Sequence, residues 1–489
     1  MKKFLVSLAI AVTMTTGCDV TDEATQGAGG IELANSVPTT QALQESTLSI
    51  QEKMLHRRAI ETAVWAMPMT NTLAMRDGLG EAGCELNNVC YFSKIQTWRA
   101  AVTTPNNTTP YIFAFWNIKD GPVMVEVPPI GENVGLWGTL MDVWQRPLAD
   151  VGAKGRDKGV GAKYLIVAED YKGETFGADY VLKQKTLNGY TLLRPIIPDA
   201  SEQSLKMAED FTKKLKIYDP TKPLETDYVD LQDATIDGVV HFDLSLYQLI
   251  DRAIQEENLE QRDAVALGML KGIGIEKGEV FNPTEKQKTI LNNAAAESLA
   301  YLQDTYFDNS PKASLGNGWV VLTPATSYET VFDWVVDSGA MALDDRGSSY
   351  FAFFSSAEEF NLTNPPTMYL LTGRDADGNK LMGGNSYKFI VPADVPVRQF
   401  WSVLIYDYQD ATFLNNVDKY GVASSEDLDF NEDGSVDVYF GPVRPDGVKE
   451  SNYVPTIEGK GWFPYFRFYG PEPALFKGEF KLNKIEKLE

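Results

Sequence analysis

The sequence predicts a β-rich α+β fold with two β-sandwich or jelly-roll-like domains and a helical segment between them. The chain has 489 residues, which exceeds the size at which one hydrophobic core usually keeps growing. Strand-like patterns dominate its first and last parts, and helical spacing dominates the middle. In the last third, short strands alternate with Gly, Asp, Asn and Pro turns about every 8–12 residues, which is typical of sandwiches.

The composition favours a folded protein and argues against nucleic acid as a partner. Hydrophobic residues make up 44% of the chain and include 24 Phe, 22 Tyr and 9 Trp, which is enough to build several cores. The chain has 44 Lys and Arg residues against 68 Asp and Glu residues, so its formal charge is −24. Phosphate backbones are bound by clustered Lys and Arg, and such a charge balance is unfavourable for that.

The N-terminus predicts export. Residues 1–18 combine a basic "MKK", a short apolar stretch and "TTGC", which ends at Cys18. The apolar stretch is too short for an ordinary membrane span. "TTGC" resembles a bacterial lipobox, with Thr15 where Leu is usual, so we expect a lipid anchor at Cys18 that faces the periplasm. Asp19 resembles a signal that retains lipoproteins in the inner membrane, but an anchor in the outer membrane remains an alternative. The alternative is plain secretion with cleavage nearby.

Residues 19–45 are polar and aperiodic and predict a flexible tether. Residues 46–215 are expected to form a helix and then the N-terminal sandwich. The helical pattern runs from about 46 to 66 and is disturbed by Pro68. Beyond it, Cys84 and Cys90 have five residues between them. In an exported chain this pair predicts a disulfide that fixes a local loop, with two free thiols as the alternative.

Further elements follow from pattern. Residues 111–118 and 123–129 flank the turn sequence "KDGP" and predict a hairpin. Residues 139–152 predict a short helix, and 163–170 and 189–197 predict strands. Residues 216–315 are expected to be a helical connecting region, with helical spacing also at 204–216, 245–258 and 284–307. Residues 316–489 are then the C-terminal jelly-roll-like domain.

Motifs for catalysis and cofactors are weak. The glycines between residues 152 and 161 precede a strand, whereas a phosphate cradle precedes a helix, so no nucleotide site is expected. A Ser-His-Asp triad would need His56 or His241, and we expect a surface and a packed histidine instead. Pairs of carboxylates are unavoidable among 68 acids and carry no signal. No cofactor is predicted.

The segment "GWFPYFRFYGPEP" is dense in aromatic residues. Strand alternation places Phe463, Tyr465, Arg467 and Tyr469 on one face. An aromatic face with one arginine can stack a sugar ring or hold an acidic ligand. The alternative is a sandwich strand covered on both sides.

One segment resembles a calcium loop. "DFNEDGSVDVYF" offers Asp429, Asn431, Asp433 and Asp437 as oxygen ligands. A helix–loop–helix calcium site needs an acid at its twelfth position and helices on both sides. The twelfth residue is Phe440 and the flanking sequence is strand-like, so we expect a β-hairpin turn at Asp433-Gly434, with calcium as the alternative.

Several long motifs resemble a known pair of bacterial domains. "TPNNTTPYIFAFWNIKDGPVMVEVPP" and "DVWQRPLADVGAKGRDKGVGAKYLIV" are similar to the domain of unknown function numbered twelve fifty-four. "DADGNKLMGGNSYKF", "VPVRQFWSVLIYD", "NEDGSVDVYFGP" and "FPYFRFYGPEPALF" are similar to its C-terminal companion, numbered twelve fourteen. The resemblance implies export and β-sandwich or jelly-roll domains with attached helices. The activity of the family is not established, so it assigns no catalytic residue.

The chain departs from the resembled family in two places. Many members have an acid in the stretch where this chain has Asn107, Thr108 and Thr109, and Asn-Trp where it has Asn452 and Tyr453. Polar and aromatic residues inside the motifs are the candidate ligand-binding residues, although each arginine is as readily a brace of the fold. The candidates are Asn107, Tyr111, Arg146, Trp401, Tyr406, Asp407, Asn452 and Arg467.

The resulting hypothesis is an envelope lipoprotein that binds a small molecule or glycan in a cleft between its two sandwiches. One alternative is a periplasmic hydrolase that uses paired carboxylates on envelope or environmental glycans. Another is a structural protein that assembles through its sandwich faces, as a homo-oligomer for example.

Overall fold

The computed structural model describes residues 47–309, 314–321, 334–335, 338–352 and 367–489. The predicted signal peptide, the lipidation site Cys18 and the tether lie outside the described residues. Within them, every helix is too short or too polar to cross a membrane. The described residues belong to one compact unit.

The helices and strands follow one another in the order β-rich, helical, β-rich. The first part contains α1 (Ile50–Glu81), β1 (Val89–Tyr91), β2 (Ala100–Ala101), β3 (Ile112–Asn117), β4 (Val123–Val127), β5 (Gly135–Asp142), β6 (Pro147–Gly152), β7 (Ala162–Ala168), β8 (Tyr180–Gln184), β9 (Asn188–Ile196), α2 (Glu202–Thr212), β10 (Lys216–Tyr218), β11 (Tyr228–Asp230) and β12 (Ile236–Asp237). The middle contains α3 (Leu244–Glu256), α4 (Ala264–Lys271) and α5 (Glu285–Asp304). The last part contains β13 (Ser314–Gly316), β14 (Trp319–Val321), α6 (Leu343–Ala352), β15 (Thr367–Leu371), β16 (Tyr387–Val391), β17 (Trp401–Asp407), β18 (Gly421–Ala423), β19 (Val436–Gly441), β20 (Tyr453–Pro455), β21 (Trp462–Tyr469), α7 (Pro473–Phe476) and β22 (Ile485–Lys487).

Each β-rich part is a sandwich of a six-stranded and a four-stranded sheet. In the N-terminal sandwich the strand orders are β11-β1-β3-β9-β5-β6 and β10-β4-β7-β8. In the C-terminal sandwich they are β13-β14-β15-β21-β17-β18 and β20-β19-β16-β22. Alternate residues of the facing strands fill a core between the two sheets of each sandwich. The predicted β-rich α+β fold with two sandwiches is confirmed.

The two sandwiches have the same topology. Nine strands, β1 and β3–β10, correspond in chain order to β14–β22, and the correspondence preserves every neighbour relation among them. It also preserves direction, because β7–β8 and β19–β20 are the parallel pairs and the other corresponding pairs are antiparallel. Under this correspondence β9 is equivalent to β21 and β3 is equivalent to β15. The chain is therefore built from two topologically equivalent halves.

Helices cover the outer face of both six-stranded sheets. The helix α1 packs against α3, α4, α5 and α6, and its residues share a core with Tyr406, Phe463 and Tyr465 of the C-terminal sheet. The last turns of α1 contribute Met75 and Leu79 to a second core with residues of the N-terminal sheet. One long helix therefore contacts both sandwiches.

The helix α1 continues through Pro68, where the sequence predicted a disturbance. An internal proline costs a helix about 3 kcal/mol because it removes one backbone bond and crowds the preceding turn. Here the residues around it are buried on almost all sides, including Met67, Met69 and Leu73. Gln145 Nε2 also donates to the Pro68 carbonyl at 3.0 Å. Tertiary packing thus outweighs the local preference.

The predicted hairpin at residues 111–129 is wrong. β3 pairs with β1 and β9, whereas β4 pairs with β7 and β10 in the other sheet. Both strands carry an apolar face, and these faces meet across the sandwich core, where Ile112 and Trp116 lie in one cluster with Val123 and Val125. The "KDGP" turn therefore connects two sheets.

The predicted helix at residues 139–152 is wrong as well. This segment forms the hairpin of β5 and β6, in which Thr139 is paired with Asp150. The Asp142 carboxylate accepts from the backbone N–H of Trp144 and Arg146, and Gln145 has a φ of 62°. Side-chain capping of a tight turn explains why a helix-like spacing folds as strands.

The predicted disulfide between Cys84 and Cys90 is present, with 5.8 Å between the Cα atoms. Cys84 follows the end of α1 and Cys90 lies in β1. The bond therefore fixes the loop between the first helix and strand β1 of the N-terminal sheet.

The crossing of α6 over α1 gives a stability prediction. A methyl group at Gly347 would lie 2.7 Å from Val64 Cγ1 and 2.8 Å from the Val64 carbonyl oxygen. We expect Gly347→Ala to lower the free energy of unfolding by about 1–3 kcal/mol, because overpacking forces the helices apart. Gly268→Ala in α4 is the matched control, since nothing lies within 4 Å of its added methyl group. There the helix propensity of alanine adds up to about 1 kcal/mol.

Chemical denaturation of both variants measures this difference. A Gly347→Ala protein as stable as the parent would contradict the observed helix crossing.

Candidate functional site

A polar row crosses the outer face of the C-terminal six-stranded sheet. Arg467 in β21 is paired with Tyr369 in β15 and with Ser402 in β17. Directly paired residues point to the same face of a sheet, so these side chains form one row. The neighbouring row on this face contains Tyr465 between two leucines. Strand alternation thus places a guanidinium group on an otherwise aromatic and aliphatic surface.

An equivalent row crosses the N-terminal sheet. Arg194 in β9 is paired with Trp137 in β5. Ile112, the first residue of β3, is paired with Leu193 of β9, so Tyr111 just before it lies beside Arg194. The Arg194 Cζ atom lies 5.0 Å from the Tyr111 ring centre and 5.4 Å from the Trp137 ring centre. Arg194 and Tyr111 therefore occupy the strand positions that Arg467 and Tyr369 occupy in the other half.

The two rows meet at Tyr369. Its hydroxyl accepts from Arg194 Nη1 at 3.4 Å, and its ring centre lies 5.5 Å from the Arg467 Cζ atom. Arg467 also faces the rings of Tyr406 and Tyr465, at 5.6 and 5.8 Å. We call Arg194, Arg467, Tyr111, Tyr369 and Tyr406 the arginine–tyrosine cluster.

The loop "TPNNTT" of the N-terminal half covers the cluster. Arg467 donates to the Thr104 carbonyl and to Asn106 Oδ1, both at 3.4 Å, and its Nη2 donates to the Tyr406 hydroxyl at 2.5 Å. That hydroxyl in turn donates to the Pro105 carbonyl at 2.8 Å. Helix α6 supports the loop, because Thr104 Oγ1 donates to the carbonyl of its last residue, Ala352. The cluster therefore lies between the two halves and against the helical layer.

The positive charges of the cluster are not neutralised by the part of the chain that is described. Neither Arg194 nor Arg467 has a carboxylate within 4.0 Å there, and the Nε atoms of both have no hydrogen-bond partner. Arg467 is only 3% exposed. A buried charge is stabilised only in part by neutral hydrogen-bond acceptors.

The two charges also change the acidity of the phenols. Burial would raise the pKa of Tyr369, but the positive charges of Arg194 and Arg467 outweigh it and hold that pKa below its usual value of 10.0. Burial instead raises the pKa of Tyr111 and Tyr406. Tyr369 is thus the phenol of the cluster that ionises most readily.

The cluster retains access to solvent on one side. Arg194, Tyr369 and Trp137 keep intermediate exposure, whereas Tyr111, Tyr406 and Arg467 are buried. The solvent-accessible side of the cluster is therefore the side of Arg194, Tyr369 and Trp137.

Three of the predicted ligand-binding residues come together here: Tyr111, Tyr406 and Arg467. Asn107 lies in the covering loop and is half-buried. Sequence reasoning missed Arg194 and Tyr369. An available signal for Arg194 was a single charged residue inside the apolar strand "GYTLLRPII".

The other four predicted residues have different partners. Arg146 Nε lies 2.5 Å from Asp142 Oδ2, and Arg146 Nη2 lies 2.7 Å from Glu260 Oε1, so Arg146 braces the β5–β6 turn. The other three also make contacts that stabilise the fold. Asp407 pairs with Lys460, and the Asn452 amide donates to the backbone carbonyls of Asp429 and Asp437. Trp401 stacks on Phe466 in the sandwich core.

The predicted environments of the two histidines are wrong: His56 was expected on the surface and His241 in the packed interior. His56 is buried and lies 3.4 Å from Glu297, whereas His241 is exposed. His241 Nε2 lies 2.9 Å from Asp237 Oδ2, and that hydrogen bond raises the pKa of the imidazole. The pair lines a surface cavity of about 510 Å³ between α1 and α3. The nearby Ser245 hydroxyl donates to Asp243, which is the capping geometry of a helix start.

The predicted calcium ligands lie on a tight turn, in which Asn431 N–H donates to the Ser435 carbonyl and Gly434 has a φ of 81°. The expected hairpin is wrong, because β19 pairs with β16 and β20 and not with the preceding strand. Asp433 accepts from Ser435, and Asp437 pairs with Lys388 at 2.6 Å. Within the described ranges, no three His, Cys, Asp or Glu side chains are grouped as metal ligands.

This turn gives a prediction about calcium. Because Asp433 and Asp437 already have partners on the protein, we expect the melting temperature to be the same with excess calcium and with EGTA. A rise with calcium that Asp433→Asn abolishes would contradict the hydrogen-bonded turn.

The low pKa of Tyr369 gives a second prediction. In a spectrophotometric pH titration, the first phenolate absorbance step should be present in the parent protein and absent from Tyr369→Phe. A pKa that is lower in the folded than in the unfolded state adds stability as pH rises through the folded value. The stability difference between parent and variant should therefore grow with pH up to about 10.

Tyr228→Phe is the matched control, because burial raises the pKa of Tyr228. Its titration should keep the first step. An unchanged first step in Tyr369→Phe would contradict the placement of both arginines beside Tyr369.

Comparison with known proteins identifies two families. A model described as "Protein of unknown function (DUF1254)" matches residues 86–219, and one described as "Protein of unknown function (DUF1214)" matches residues 366–473. No curated protein matches the chain. Each matched range supplies one arginine of the cluster and the tyrosine beside it. Arg194 and Tyr111 lie in the first range, and Arg467 and Tyr369 lie in the second. The cluster is therefore formed by both family regions together.

One solved structure is similar in fold. The VPA0106 protein from Vibrio parahaemolyticus is 18% identical with a TM-score of 0.52, over 89% of this chain and 100% of that one. An uncharacterised protein from Burkholderia cenocepacia is 12% identical with a TM-score of 0.39, over 90% and 94% of the two chains. The chain thus combines a DUF1254 region at residues 86–219 with a DUF1214 region at residues 366–473, in the order that its sequence motifs indicated.

Proposed function

We propose that this protein binds a small organic anion at the arginine–tyrosine cluster between its two sandwiches. The observation that carries the proposal is a pair of guanidinium groups, buried at Arg467 and half-buried at Arg194, without carboxylate partners among the described residues. The proposal includes a lipid anchor at Cys18 in the cell envelope, and the signal-like N-terminal sequence that ends in "TTGC" supports this part.

The chemistry of the cluster favours a carboxylate-bearing ligand. A guanidinium group offers parallel N–H donors that match the two oxygens of a carboxylate, and the Nε atoms of both arginines are without a partner in the described structure. The hydroxyl of Tyr369 and the ring of Trp137 border the open side. A ligand with an acidic head and an apolar body would use both kinds of surface.

The same features bear on the alternatives. A neutral glycan would stack on the aromatic rings but would leave two positive charges without a counter-charge. A carboxylate-dependent hydrolase needs two acids about 5–10 Å apart at the reacting bond, and the cluster is built from arginine and tyrosine. Assembly through sandwich faces would leave the cluster unexplained. Anion binding accounts for the most observations.

Substitution of the arginines tests this proposal. We expect small carboxylic acids to raise the melting temperature of the parent protein, and Arg467→Met to weaken their binding by on the order of tenfold to a hundredfold, because one charge-assisted contact is lost. Isothermal titration calorimetry gives the dissociation constants. The absence of binding by any carboxylate, sulfate or phosphate would contradict the proposal.

Arg146→Met is the matched control, since that arginine is neutralised by Asp142 and Glu260. Its loss leaves the buried Asp142 carboxylate without its cation and should lower the free energy of unfolding by about 3–5 kcal/mol. Anion binding by this variant should be unchanged. Equal loss of binding in both variants would indicate a general effect on folding and would overturn the specific role of Arg467.

A further inference from the structure

We infer that the ligand of the cluster is a short dicarboxylate, with one carboxylate held by Arg194 and the other by Arg467. This inference rests on the proposed anion-binding function and specifies its ligand. It follows from the duplicated topology, which supplies one arginine from each half.

The two arginines occupy equivalent positions. Arg194 lies in β9 and Arg467 in β21, the corresponding strands of the two sandwiches. Each is flanked by a tyrosine on the corresponding neighbour, Tyr111 before β3 and Tyr369 in β15. A site made from two equivalent halves presents two equivalent binding groups, so it suits a ligand with the same acidic group at both ends.

The two positive charges also favour a ligand with two acidic groups. Both guanidinium groups keep a partner-free Nε among the described residues. Burial would lower the pKa of each arginine, but the surrounding tyrosines outweigh it and raise both pKa values, so both side chains stay charged. A monocarboxylate would neutralise one charge, whereas a dicarboxylate neutralises both.

Contact with one shared residue limits the ligand length. The Tyr369 hydroxyl lies 3.4 Å from Arg194 Nη1, and the ring of the same residue lies 5.5 Å from Arg467 Cζ. Because both guanidinium groups lie against the same tyrosine side chain, a dicarboxylate that reaches both of them has to be short.

Calorimetry with matched acids tests the inference. The probes are succinate, glutarate and adipate, the monocarboxylates butyrate, valerate and hexanoate of the same carbon number, and inorganic phosphate. For the parent protein we expect the best dicarboxylate to bind at least about tenfold more tightly than its monocarboxylate and than phosphate, since one further charge-assisted contact forms. In Arg194→Met and in Arg467→Met that ratio should fall to about one.

The outcomes separate the two proposals. Equal binding of mono- and dicarboxylates, or tighter binding of phosphate, would overturn the dicarboxylate and leave anion binding intact. No binding by any probe would overturn both. Circular dichroism checks that the variants fold, and if either does not, the ratio measured on the parent protein decides alone.

Discussion

Two guanidinium groups that meet at Tyr369, one from each β-sandwich, are the constraint around which the described part of this molecule is arranged. The strands β9 and β21 each place one arginine on the face that turns toward the other half. Among the described residues, the guanidinium groups donate to the hydroxyls of two tyrosines, to the Thr104 carbonyl and to Asn106 Oδ1. Neutral acceptors stabilise a buried cation only in part. In the described part of the fold these two charges lack a carboxylate partner, and under our proposal an anionic ligand supplies it.

The rest of the architecture keeps the two arginines in place. Equivalent topology gives each sandwich a six-stranded sheet whose outer face is free to meet the helices. The helix α1 contacts both sheets, and its burial outweighs the cost of Pro68. Tyr306, at the end of α5, reaches the hydroxyl of Tyr465 beside Arg467. The helical layer and the "TPNNTT" loop thus fix the geometry of a site that neither sandwich could form alone.

The sequence predicted the layout and only part of the site. Period and turn spacing were enough for the two sandwiches, the middle helices and the disulfide of Cys84, because these depend on local patterns. The 111–129 hairpin and the 139–152 helix were wrong because sheet membership and the capping by Asp142 are set by tertiary contacts. Arg467 stood out through its aromatic surroundings, whereas the importance of Arg194 depends on its tertiary contact with Tyr369, which Arg467 also contacts. The equivalence of the two sandwiches could not be predicted from the sequence, because the strand topology is repeated and no short sequence motif is.

The most direct measurement is a crystal structure of the protein soaked in bromide, with anomalous scattering used to locate bound anions. Bromide is a small anion whose position does not depend on the chemistry of the natural ligand. We predict an anomalous peak in contact with Arg194 and Arg467, on the side of Tyr369, and its loss in Arg467→Met. An Asp or Glu from the residues outside the described ranges, paired with both guanidinium groups in place of the peak, would contradict the unneutralised charge on which the proposal rests.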